Sequence, residues 1–404
     1  MMSQKELSFN ARAIHVGSKP DPTTGAHVAP VYRTSTFVMK NADEAILAGY
    51  GDRENVYAYT RYGNPTVHAV QEKIASLENA EACLVAASGM GAITTALLAV
   101  LSAGDHLVAA DTIYGGTHGF IKKILPRFGI EATMVPTIGE SVENIKKFIK
   151  GNTKVIYIET PCNPILGVTD IKRAAEIAHE RGALLFIDNT FATPYLQQPL
   201  SLGADIVLHS TTKYLNGHGD VLGGAIVGNK KLIHSMDNDF LKWMGGIMSP
   251  SDAATLSKGI KTLGVRMDVH CANARKIAEF LDNHDMVEKV LYPGLRSHPG
   301  YDIAKKQMRN FGGMMSFNIR GGFEAGRMLI DNVNLISLAT SLGNVDSLIQ
   351  HSASMSHASM TKEERAAVGI AEGQVRLSVG IEEAEELISD LDQALLHVKK
   401  KLKM

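Results

Sequence analysis

VTDIKRAAEIAHERGALLFIDNTF, residues 168–191, reads as a helix that feeds a buried strand. Asp170 stands where an N-cap side chain accepts from the first turn, and Ile171, Ala174, Ala175 and Ala178 share a face at helical spacing. Gly182 ends the helix, since glycine takes the left-handed closing conformation without strain. The run Ala183–Ile187 then lacks any polar residue, as a strand covered on both faces requires, and it ends in Asp188 and Asn189. A helix followed by a doubly buried strand is half of a βαβ unit.

The rhythm repeats outward in Leu84–Ala87, His106–Ala110, Lys154–Ile158, Ile206–His209 and Gly224–Val227, with helical patterns between them. Buried parallel strands joined by helices produce this alternation, so the predicted class is α/β over residues 67–264. Upstream, residues 1–66 contain Pro20-Asp21-Pro22, Gly25 and Gly63-Asn64-Pro65 without sustained periodicity and are predicted to form an extended arm. Residues 265–404 change pattern: a helix over Asn273–Leu281, Pro293 and Gly294, a strand-like GGMMSFNI (312–319) and a long last helix. In that helix Leu387, Ile388, Leu391, Leu395 and Val398 recur at three- and four-residue steps. Acids crowd its start and Lys399, Lys400, Lys401 and Lys403 its end, which suits the helix dipole. A smaller α+β domain is expected there.

Composition narrows the function. The 404 residues carry 41 Lys plus Arg against 42 Asp plus Glu, so no long-range field favours nucleic acid or an anionic membrane as partner. Hydrophobic residues at 45% and charged residues at 21% are those of a folding chain rather than a disordered one. Cys83, Cys162 and Cys271 form no C-x-x-C pair, which argues against a disulfide framework or a Cys-based metal site and favours a reducing cytoplasm. Residues 82–104, ACLVAASGMGAITTALLAVLSAG, are uncharged and long enough to span a bilayer. Ser88-Gly89-Met90-Gly91 interrupts them, so strand, turn and buried helix are predicted instead. The opening MMSQKELSFNARA lacks the apolar centre of a secretory signal.

Three segments offer chemistry. Ser88-Gly89-Met90-Gly91 lies between a strand and a helix, where unpaired amides and the positive helix end suit a phosphate. The same residues read as GMGAIT, a G-x-G-x-x-G with Thr94 at the third glycine. Asp111 stands near the spacing of a ribose-binding acid, so a nicotinamide-dependent dehydrogenase is a rival reading. Asp188 ends a buried strand, where open α/β sheets bind ligands, although taken alone a turn cap is the favoured account of it. Ser210, Thr211, Thr212 and Lys213 follow another buried strand and bring hydroxyls and an amine to that edge. A phosphate cradle, a buried acid and a lysine are the parts that pyridoxal 5'-phosphate requires. The acid keeps the ring nitrogen protonated, and the lysine amine bonds covalently to the aldehyde carbon.

The chain resembles the cystathionine/methionine-metabolism family of fold type I pyridoxal-phosphate enzymes. The resemblance runs through YTRYGNPT (59–66), SGMGA (88–92), YGGT (114–117), ETPCNP (159–164), IDNTF (187–191), HSTTKYLNGHGD (209–220), SPSDA (249–253), TSLGN (340–344) and VRLSVGIE (375–382). Within the family it is nearest to the methionine γ-lyase branch, on GHGD, RMDVHCANA (266–274) and IQHSASMSHASMT (349–361).

The resemblance implies a mostly parallel seven-stranded sheet, with Lys213 binding the cofactor and Asp188 pairing with its ring nitrogen. It implies that Tyr114 stacks on the ring and assists proton transfer, and that Ser88, Gly89, Met90, Ser210 and Thr212 hold the phosphate. Tyr59 and Arg61 are expected to reach a neighbouring subunit's phosphate, which implies a dimer paired into a homotetramer. Arg376 is expected to bind the substrate α-carboxylate. The alternation of Val375, Leu377 and Val379 with Arg376 and Ser378 independently sets the guanidinium opposite an apolar face. Asn163 and Ser341 are expected in the same pocket. Gly116 stands where methionine γ-lyases usually carry cysteine, Trp243 where they usually carry aspartate, and Thr340 where many cystathionine γ-lyases carry glutamate. The expected reaction is α,γ-elimination of a small sulfur-containing amino acid, L-methionine first. Cystathionine γ-lyase and O-acetylhomoserine sulfhydrylase activities stand as alternatives.

Overall fold

The computed structural model describes residues 7–50, 56–356, 358 and 360–404. Outside them lie the first six residues of the stretch read against a secretory signal, residues 51–55 of the predicted arm, and His357 and Ser359 of IQHSASMSHASMT. Among the described residues the larger sheet comprises β1 (Ala82–Ala86), β2 (His106–Ala110), β3 (Glu131–Val135), β4 (Thr153–Glu159), β5 (Leu184–Asp188), β6 (Ile206–Ser210) and β7 (Gly224–Gly228). Its spatial order is β1-β7-β6-β5-β4-β2-β3, and β7 alone runs against its neighbours. The α/β class and the mostly parallel seven-stranded sheet are as expected. Gly224–Val227, expected among the parallel strands, is instead the reversed one, a direction that residue pattern does not encode.

Both faces of the sheet are buried, and successive residues serve opposite cores. In β4, Val155 and Tyr157 pack into one hydrophobic cluster, whereas Ile156 and Ile158 pack into the other. The Ile171–His179 helix covers one face with Ile171, Ala174, Ala175 and Ala178, and Asp170 caps it by accepting from the Arg173 N–H at 2.9 Å. β3 escaped the sequence reading because it lies at the sheet edge, where EATMV is only half covered and shows no continuous apolar run. Residues 82–104 resolve into β1, a turn and the Gly89–Val100 helix. Among the described residues no helix is long and apolar enough to cross a membrane.

The second sheet holds β8 (Val287–Leu291), β9 (Met314–Ile319), β10 (Ser337–Leu338), β11 (Leu348–His351) and β12 (Gln374–Ser378), in the order β10-β11-β12-β9-β8. The last helix, Ala384–Leu402, buries Leu387, Leu391, Leu395 and Val398 against it. The helix expected over Asn273–Leu281 begins earlier, at Leu263. Its first half buries polar side chains and so hides the apolar period. Arg266 donates to the Tyr214 and Gly259 carbonyls at 2.8 and 2.9 Å, and His270 Nδ1 lies 2.7 Å from the Val379 carbonyl oxygen.

The first 66 residues are not uniformly extended, for they carry helices at Phe9–His15 and Ala42–Tyr50. The first is tied down by buried Lys73, whose Nζ donates to the Ala13 carbonyl at 2.7 Å. Between them residues 22–36 stand exposed.

Candidate active site

β1, β4, β5 and β6 point the same way, so their C-terminal ends gather functional groups along one sheet edge. Ser88, two residues past β1, caps the Gly89–Val100 helix by accepting from the Gly91 N–H at 2.9 Å. Gly89 and Met90 keep first-turn amides that have no intrahelical acceptor. Ser210, at the end of β6, closes on this turn: a Cβ at Gly89 would lie 2.9 Å from Ser210 Cβ. Glycine is therefore needed where the two segments meet. Thr212 accepts from the Gly223 N–H at 3.0 Å, which ties the hydroxyl row to the glycine-rich segment after it.

Asp188 ends β5, buried. One oxygen accepts from the Thr190 amide and hydroxyl, at 3.0 and 2.6 Å, so it does cap a turn. The other accepts from the Tyr157 hydroxyl at 3.3 Å. Burial raises its pKa, and a cationic partner would oppose that rise. Lys213 Nζ donates to Ser341 Oγ at 2.6 Å, and burial followed by the Arg376 guanidinium lowers the amine to about 8. An amine so lowered is a competent nucleophile near neutral pH.

Arg376 sits in β12, on the second sheet, and is buried. Its Nη1 donates to Asn163 Oδ1 at 2.8 Å and its Nη2 to the Ser341 carbonyl at 2.6 Å, while its buried Nε finds no partner among the described residues. Ser341 adopts φ +90°, a left-handed backbone unusual for serine and of the kind that functional sites retain. The structure thus brings Lys213, Ser341, Arg376 and Asn163 into one hydrogen-bonded chain.

Tyr114 precedes the Gly115–Lys123 helix, and its ring lies over Gly116. A Cβ at Gly116 would come 2.5 Å from the Tyr114 ring and 3.0 Å from Met90 Sδ. Thr340 is exposed and shares a cleft of about 590 Å³ with Thr212, Asp220, Ser341 and Asn344. Tyr59 and Arg61 make their contacts elsewhere in the chain. Arg61 Nη1 donates to the Lys242 carbonyl at 2.6 Å, and its guanidinium lies 4.6 Å from the Tyr62 ring centre.

Glu159, within ETPCNP, ends β4 and is a site residue beyond those the sequence pattern points to. It is buried, it pairs in register with Asp188, and it accepts from the Tyr114 and Asn163 amides at 2.6 and 2.8 Å. The rule that picked out Asp188, a carboxylate closing a buried parallel strand, applies equally to it.

Helix-end amides, a buried acid and a lowered lysine fit pyridoxal phosphate, which needs an anion cradle, a ring-nitrogen partner and an amine. The model of the Cys/Met metabolism PLP-dependent enzymes matches residues 10–396. This chain belongs to that family. It is thus a pyridoxal-phosphate-dependent enzyme, and the dinucleotide reading of Gly89–Thr94 gives way. The chain is similar to an L-methionine gamma-lyase of Treponema denticola, at 49% identity over 98% of this chain and 99% of that one. It is similar also to a cystathionine gamma-lyase of Bacillus subtilis, at 47% identity over 95% and 98%. The crystal structure of metB from Corynebacterium glutamicum superposes with TM-score 0.92 at 43% identity, covering 98% of this chain and all of that one.

Proposed function

We propose that this member of the Cys/Met metabolism family eliminates the sulfur-bearing group from the γ-carbon of L-methionine, converting methionine and water to methanethiol, α-ketobutyrate and ammonia. The observation that carries the reading is the bonded chain Asn163–Arg376–Ser341–Lys213, which sets a carboxylate-binding guanidinium beside a nucleophilic amine. L-methionine gamma-lyases among the relatives, at 45 to 49% identity, point to the same substrate.

Pyridoxal phosphate, when bound, supplies an electron-accepting ring that acidifies the substrate Cα. The Ser88–Met90 turn, Ser210 and Thr212 would hold its phosphate, and Asp188 would pair with its ring nitrogen. Arg376, through its unpaired Nε and with Asn163 and Ser341 beside it, fixes the substrate α-carboxylate. Lys213 would take the Cα proton, and Tyr114 would assist departure of the thiol. Thr340 offers no negative charge to a distal ammonium, which favours methionine over cystathionine.

Tyr59 and Arg61 serve the neighbouring subunit's phosphate in a dimer that pairs into a homotetramer. Fully exposed Val38 and largely exposed Val28, on the arm before them, support a covered arm in the assembly. Arg61→Ala and Lys213→Ala, each inactive alone, should regain part of the activity when mixed and refolded; no recovery at any ratio would argue for self-contained sites. The buried, unpaired cysteines fit a reducing cytoplasm.

The deciding assay measures α-ketobutyrate, pyruvate and homocysteine formation from methionine, cystathionine, and O-acetylhomoserine plus sulfide. A higher kcat/KM for methionine supports the proposal. Preference for cystathionine, or net homocysteine synthesis, replaces it with the corresponding alternative.

A further inference from the structure

We propose that Glu159 is the positioning residue that holds Tyr114 and the Asn163–Arg376 pair at a set separation. Its two oxygens are divided between two segments: Oε2 accepts from the Tyr114 N–H at 2.6 Å and Oε1 from the Asn163 N–H at 2.8 Å. These are backbone amides, so the contact fixes where each chain segment runs.

Neither segment has a good local substitute. Tyr114 stands at the N-cap of the Gly115–Lys123 helix and makes no side-chain cap bond of its own. In the 161–164 stretch, Pro161 and Pro164 lack an N–H and the Cys162 amide is used by the Gly167 carbonyl at 3.0 Å, which leaves the Asn163 amide to anchor the loop. From Asn163 the same chain of bonds continues through Arg376 and Ser341 to Lys213. Glu159 therefore joins the residue over the cofactor ring to the residues that grip the substrate carboxylate.

This carboxyl is buried and pairs across the sheet with Asp188, and both features disfavour its ionised form. Burial, then Asp188, raises its pKa to about 8, and the two amides oppose the rise because they favour the form that accepts at both oxygens. Glutamine has the same length but a single acceptor oxygen, and its NH2 would face one of the two N–H donors. A carboxylate alone at this length can accept both.

The inference rests on the roles given to Tyr114 and Arg376 under the proposed function, and its test compares Glu159→Gln with wild type, both loaded with pyridoxal phosphate. The variant should bind the cofactor covalently at Lys213 with wild-type stoichiometry. Its visible circular dichroism, which reports the tilt of the bound ring, should change by about half or more. KM for the amino acid should rise about tenfold, the factor that a loss of ~1.4 kcal/mol gives. Unchanged visible dichroism and KM, even with a lowered Tm, would overturn the proposal. Should Glu159→Gln fail to fold, Glu159→Asp keeps both acceptors on a shorter arm and should show the same changes at smaller size; wild-type values there would overturn it as well. If wild type binds the cofactor but turns over no amino acid, the functional reading fails, while the dichroism comparison still decides the role of Glu159.

Discussion

Lys213 Nζ donates to Ser341 Oγ at 2.6 Å, joining the end of the first sheet's β6 loop to a strained turn between β10 and β11 of the second. The amine proposed to bind the cofactor is thus held by a residue 128 positions away. Ser341→Ala should lower kcat/KM by about tenfold or more, the worth of a hydrogen bond to a charged group. Ser341→Gly loses the same hydroxyl but relieves a left-handed backbone that costs a side-chain-bearing residue about 1–2 kcal/mol. The two variants should match in kinetics, with the glycine form melting about 1–4 °C higher. Equal Tm values would show that the turn is unstrained.

The pH dependence of cofactor uptake follows from the Lys213 amine, lowered to about 8 by burial and then by Arg376. Only the neutral amine attacks, so covalent uptake by the cofactor-free protein should rise about tenfold per pH unit below pH ~8 and level off above it. Arg376→Gln removes a like charge and should move the midpoint upward. Stopped-flow absorbance measures both. The same shift makes the folded chain bind fewer protons than the unfolded chain from pH ~8 to ~10.4. The contribution of Lys213 to cofactor-free stability should therefore increase with pH across that window. A midpoint unmoved in Arg376→Gln would separate the two groups electrostatically.

Gly116→Ala tests the space under Tyr114. The added methyl would stand 2.5 Å from the ring, yet Tyr114 is half exposed, so the ring can swing outward at little cost. Alanine also favours the helix by ~0.5–1 kcal/mol over glycine. Tm should hold or rise slightly, while kcat falls about tenfold because the ring leaves its place. Wild-type kcat would mean that the ring position is immaterial to the rate.

Thr340→Glu should shift preference toward cystathionine. A buried charge-assisted contact is worth ~1.5–3 kcal/mol, but position 340 is exposed, and solvent screening cuts that figure. The ratio of kcat/KM for cystathionine to that for methionine should rise about tenfold in competition assays. An unchanged ratio would move substrate selection away from this position.

Local pattern was enough to make Asp188, Ser88 and the hydroxyl row before Lys213 legible. Each follows an apolar run in β1, β5 or β6, and strand ends in a parallel sheet lie on one edge whatever the loops do. The arginine at 376 was legible for a related reason, since its neighbours alternate with the period of a strand. Glu159 obeyed the same rule, but its worth depends on the two amides it meets, and those come from segments 45 and 4 residues away.

What the sequence determined by itself was the α/β class, the Ser88-capped turn after β1 and the chemistry of the residues, because capping, periodicity and strand burial act within a few residues. Tertiary structure decided the reversed direction of β7, the early start of the Leu263–Asp282 helix and the joining of Asn163, Arg376, Ser341 and Lys213. Those depend on hydrogen bonds between groups up to 213 residues apart, such as Arg376 and Asn163, and only packing of the second sheet against the first brings such groups within reach.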